Sequence, residues 1–181
     1  MKVGEIKFRR RYSAAQMIVD IASVGALVYL GYIIYACALD IERLKSLNRT
    51  DADMSMFDWR PLIIWAAVGV LIFAFSFFLI FRNKKMPQKL CVTENNAAKY
   101  CNILDTGVSC VRLILILLVG EICYLHGAAI RMADAGFSMQ LVIMPVIIAG
   151  IIMLTKIRLE AVSETEKNKE QAPKKREIIE D

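Results

Sequence analysis

The sequence predicts an all-α integral membrane protein: a four-transmembrane-helix bundle with its N and C termini cytoplasmic. Three observations carry this. Of 181 residues, 57% are hydrophobic, where a soluble domain has roughly 45–50%. They are gathered into four runs of about the 20 residues that a helix needs to cross a bilayer. Basic residues are sorted between the connections. The N-terminal arm, the loop 82–100 and the stretch from Lys156 onward hold 17 of the 23 Lys and Arg residues. The other two connections hold Arg43, Lys45, Arg49, Arg60 and Arg131, diluted by acids. Because basic residues stay on the cytoplasmic side, four spans with both ends inside satisfy the pattern. The predicted plan is a basic cytoplasmic arm (1–12), a membrane domain (13–158, with spans at about 13–39, 61–81, 103–130 and 137–156) and a charged cytoplasmic tail (159–181) that is a solvated helical extension or a disordered end.

The arm carries Lys2, Lys7, Arg9, Arg10 and Arg11 against one acid, Glu5. With the first span it has the outline of a signal peptide, and Ala36-Cys37-Ala38 has the form of a cleavage site. The apolar stretch exceeds the 7–15 residues of such a signal's core, so it reads as a retained signal-anchor helix. Asp20 lies within it. Ile41, Leu44 and Leu47 recur at near-helical spacing and extend the first helix past the membrane surface. Asn48-Arg49-Thr50 is a glycosylation sequon, meaningful only in a eukaryotic secretory pathway. Trp59 reads as an interfacial anchor. Asp58 suits an N-cap, and Pro61 suits the first turn of the second helix.

The second span has no charge inside it. Phe73, Phe75, Phe77, Phe78 and Phe81 crowd its later half and read as lipid-facing or packing aromatics, in preference to a cofactor box. Ala66, Ala67 and Gly69 offer a small-residue patch for close helix approach.

The third span is the one around which the others must be arranged. Only LILILLVG separates Arg112 from Glu121, which is too short to cross alone. At least one charge therefore lies in hydrocarbon, at about 3 kcal/mol each, against about 0.5 kcal/mol regained per aliphatic residue. That near-balance demands shielding neighbours. At about 100° per residue, a step of seven returns to the same face. Asp105, Arg112, Val119 and His126 share that stripe with Ser109 close by, while Glu121 points away from it. Asp105 and Arg112 stand about 10 Å apart along the axis, so Arg112 needs a partner on another helix. Asp20 lies nine residues beyond Arg11, and Arg112 thirteen beyond Lys99. The depths match within the reach of an arginine, and the expectation is an Asp20–Arg112 pair. Residues 131–136 then force a tight hairpin into the fourth span, where Pro145 is expected to kink the helix.

Function is less legible. An intramembrane ionisable residue is a functional candidate, and equally a device that fixes helix register. The candidates are Asp20, Asp105, Arg112, Glu121 and His126, with no catalytic set and no metal ligands assigned. The five cysteines show no CxxC or zinc spacing, and one histidine gives no metal cage; Cys37 and Cys123 sit at the same depth, which raises a disulfide as an alternative. No cofactor is implied. The expected surroundings are the lipid bilayer, with a membrane-protein partner or a second copy. The net charge of +5 suits anionic lipid and not nucleic acid. The favoured reading is a non-enzymatic scaffold or accessory subunit in the plasma membrane. The alternative is a small ion-coupled transporter using intramembrane carboxylates. An enzyme fits worst, because no nucleophile motif is present. Ile18-Val19-Asp20 and Ile103-Leu104-Asp105 give a weak internal echo of a duplicated hairpin.

Overall fold

The computed structural model describes residues 2–3, 6–7, 12–47, 60–82, 90–130 and 138–177. Its helices are α1 (Ala14–Leu47), α2 (Arg60–Phe81), α3 (Ala97–Ile130) and α4 (Gln140–Glu177). A two-residue antiparallel ladder, β1 (Lys2–Val3) with β2 (Ile6–Lys7), precedes them. All four helices are long and apolar enough to cross a membrane, which agrees with the all-α, four-span bundle read from the sequence. Asn48-Arg49-Thr50, Asp58, Trp59 and the hairpin at 131–136 lie outside the described residues.

Local chemistry sets the helix starts. Ser13 caps α1: its hydroxyl accepts the Gln16 N–H at 3.1 Å, and its carbonyl accepts the Met17 N–H at 3.1 Å. Pro61 is the second residue of α2, where a backbone N–H has no intrahelical acceptor anyway. Before α3, the Thr93 N–H donates to Asn96 Oδ1 at 2.8 Å, and Asn96 Nδ2 donates to the Cys91 carbonyl at 2.9 Å. This turn starts α3 at Ala97, one and a half turns before the expected span. Beyond the expected span α4 continues to Glu177, so the tail up to that residue takes the helical one of its two expected forms. Its helical assignment also runs through Pro145 without a break.

Length shows what protrudes. At 1.5 Å per residue, the 22 residues of α2 measure about 33 Å, close to a hydrocarbon core of about 30 Å. The 34 residues each of α1 and α3 measure about 51 Å, and the 38 of α4 about 57 Å. Those three extend several turns beyond the apolar layer.

α3 is the hub. It packs against all three other helices, α1 and α2 meet one another less, and α4 rests chiefly on α3. Contacts fix the directions. Ser13 meets Thr106 and Cys37 meets Cys123, so α1 and α3 run parallel. α2 is antiparallel to both, since Leu62 at its start joins the cluster of Ile41, Cys37 and Cys123. α4 is also antiparallel to α3, with Leu159 beside Tyr100 and Cys101. The start of α1, the end of α2, the start of α3 and the second half of α4 therefore share one end of the bundle. Glycines permit the closest approaches. A Cβ on Gly69 would stand 2.6 Å from Leu30 Cδ2, and one on Gly107 2.6 Å from Thr155 Oγ1. Of the small patch on α2, only Gly69 is fully buried; Ala67 is exposed.

The first turns of the charged tail are packed, not solvated. Leu159, Ser163 and Glu166 are buried. Ser163 Oγ accepts the Cys91 N–H at 2.7 Å, and Thr93 Oγ1 donates to Glu166 at 3.1 Å. The segment before α3 is thereby fastened to α4 outside the apolar layer.

Candidate functional site

The parallel pair α1–α3 repeats every seven residues. Gln16, Ser23, Leu30 and Cys37 are buried along α1, and Asp105, Arg112 and Val119 along α3. This is the spacing of a left-handed helix pair. Chemistry divides the seam in two. Toward the ends of α1 and α3 it is apolar, with Leu30, Ile33, Cys37, Ile41, Val119 and Cys123. Toward their starts it is polar, with Ser13, Gln16, Asp20 and Ser23 on α1 facing Asp105, Thr106, Ser109 and Arg112 on α3.

At the centre of the polar half, Arg112 Nη2 forms an ion pair with Asp20 Oδ1. Ser109 Oγ donates to the same oxygen at 2.8 Å. The sequence-predicted pair is therefore present, and Ser109, one turn before Arg112, adds a second donor. The third wall comes from α2. The guanidinium carbon of Arg112 stands 4.9 Å from the ring centroids of both Phe73 and Phe77. The two rings lie 4.9 Å apart at 48°, forming a notch around the cation. An arginine over an aromatic face is attracted by the ring quadrupole, more strongly when desolvated. The Arg112 side chain is 0% exposed and that of Asp20 16%, so the pair is closed on the arginine side and nearly closed on the other. Arg112 Nε and Nη1 have no hydrogen-bond partner among the described residues; the rings occupy part of that space.

The other candidates separate from this centre. Asp105 is fully buried on the same stripe, two turns before Arg112. Gln16 is also fully buried, and its side-chain amide atoms have no hydrogen-bond partner among the described residues. Glu121 faces away from the seam, as its helical angle requires, and accepts from Ser138 Oγ at 2.6 Å at the start of α4. His126 is half-buried, with its Nε2 unpartnered among the described residues. Cys37 Sγ lies 3.9 Å from the Cys123 carbonyl, and all five cysteines are free thiols. Among the described residues no group of three or more His, Cys, Asp or Glu is arranged to hold a metal ion.

The sequence reading missed the Phe73–Phe77 notch. The four-residue spacing puts these two rings on one face, but Phe77 and Phe81 share that spacing, and only the structure shows that Phe75, Phe78 and Phe81 are exposed. It also missed Gln16 and Ser23, which continue the seam from Asp20 at three- and four-residue steps.

Behind the seam, α2 and α4 stand apart on α3 and leave a cleft of about 870 Å³. Its walls are apolar apart from Ser76, Arg112, Thr155, Lys156 and Glu160. As an arrangement, the site neutralises an acid and a base inside an apolar bundle and ties three helices together. Comparisons with protein-family models, curated proteins and solved structures find no match for this chain.

Proposed function

We propose that this is a multi-pass membrane protein of the plasma membrane, with both termini cytoplasmic, acting as a non-enzymatic scaffold or accessory subunit of a membrane complex. The observation that supports this reading is the closed Asp20–Arg112 centre. Its charges are spent on each other, on Ser109 and on two phenyl rings, as expected of internal glue. The polar seam holds α1, α2 and α3 together. α4 is left with Val142, Val146, Met153 and Leu154 exposed, a face for lipid or a neighbouring chain. Crosslinking in native membranes followed by mass spectrometry tests the reading. A stoichiometric partner is expected, and a chain that crosslinks only to itself or to nothing contradicts it.

The second reading, a small ion-coupled carrier, is favoured by one feature: Arg112 also borders the α2–α4 cleft. A rearrangement that parted it from Asp20 would open a charged group onto that cleft. Proton-coupled flux in reconstituted vesicles that disappears with Asp20→Asn, while the protein stays folded, would favour the carrier over the scaffold.

A further inference from the structure

A second cavity lies on the other side of α4 from the large cleft, where the starts of α1 and α3 meet the middle of α4. It measures about 380 Å³. Lys99 and Arg158 stand at its rim; Asn102 and Thr106 form its polar wall; Ile151 and Leu154 form its apolar wall. Lys99 and Arg158 are exposed, and neither has an ion-pair partner among the described residues. Two cations on one rim with no ion-pair partner among the described residues favour an anion there.

The level of the niche in the bundle identifies the kind of anion. From Phe137 to Thr155 the chain carries no charge, and Lys156 and Arg158 are the first charges after that run. The niche therefore straddles the plane where apolar α4 becomes polar α4. A free anion would use only its upper half. An amphiphile with an anionic head and a hydrocarbon chain would use both, the head against the basic rim and the chain along Ile151 and Leu154. Basic pockets between membrane helices take anionic lipid headgroups in this way.

We propose that this niche binds one anionic phospholipid, its phosphate between Lys99 and Arg158. The site rests on α1, α3 and α4 being spans and is independent of whether the protein is a scaffold or a carrier.

Native mass spectrometry of the full-length protein in detergent tests it. The probes are phosphatidylglycerol, phosphatidylcholine with the same acyl chains, and inorganic phosphate. Each basic residue at such a surface contributes about fivefold, so retention of phosphatidylglycerol over phosphatidylcholine is expected at roughly twentyfold. Lys99→Gln with Arg158→Gln should bring the ratio close to one at an unchanged melting temperature, because both side chains are exposed. Either single substitution should lower it about fivefold, which keeps the test readable if the double variant fails to fold. Lys156→Gln, on the opposite cleft, should leave the ratio unchanged. Equal retention of the two lipids by the native protein would overturn the proposal. So would a double variant that keeps the preference, a Lys156→Gln loss as large as that of the double variant, or displacement of the lipid by equimolar inorganic phosphate.

Discussion

A guanidinium inside an apolar bundle must have its charge answered, and Arg112 has it answered twice: by Asp20 and by the notch of Phe73 and Phe77. Removing one member of a buried pair leaves the other charged and stranded, at a cost of about 3–5 kcal/mol. Arg112→Ala is therefore expected to lower the unfolding free energy in micelles by about that amount. Adding Asp20→Asn to that variant should restore a large part of it, since the stranded charge is gone. Two strictly additive losses would show that the contact carries no coupling. The rings contribute less: Phe73→Leu or Phe77→Leu keeps apolar bulk but removes the quadrupole, at about 1–2 kcal/mol each when desolvated. Both should be silent in an Arg112→Met background, measured by the same unfolding.

Among the elements, α4 is the least buried in the apolar layer, and two of its contacts with the rest of the bundle can be tested singly. One is Gly107. Alanine there would place its Cβ 2.6 Å from Thr155 Oγ1, a hydroxyl already donating to the Ile151 carbonyl at 2.7 Å. Gly107→Ala is expected to cost about 1–3 kcal/mol as an overpacked contact, and Thr155→Ala in the same chain should relieve it. Unequal effects are readable as α3–α4 crosslinking yield between introduced cysteines. The second place lies outside the layer. Ser163→Ala removes the acceptor of the Cys91 N–H, so hydrogen exchange at Cys91 should rise about fivefold, the equivalent of roughly 1 kcal/mol for one hydrogen bond.

What the sequence disclosed followed from where it carried contrast. In the span 103–130 three charged residues and one histidine stand out against leucine and isoleucine, so the step of seven and the depth of Asp20 sufficed to bring Asp20 and Arg112 together. α2 offers no such contrast. A helix apolar on every side gives no sign of which aromatics face protein, and Phe73 and Phe77 were indistinguishable from Phe75 and Phe78. The packing of the helical extension of α4 was hidden for another reason. Charge density marks where the apolar run ends, but Leu159, Ser163 and Glu166 form a packed stripe within the charged stretch, and their partners lie some seventy residues earlier.

At the scale of the whole molecule, the account makes α3 a span that is stable only in company. α1 supplies its counter-charge, α2 its aromatic cover, and α4 returns the chain to the end from which it started. Insertion of α3 decides on which side of the membrane the second half of the protein lies. The most direct test is side-specific labelling of single cysteines placed at position 2 and position 181 of a cysteine-free chain, in intact cells with an impermeant maleimide. The account predicts that both stay unlabelled until the membrane is opened. Labelling of the carboxyl terminus in intact cells, with the amino terminus still protected, would mean that α3 does not cross and would contradict it.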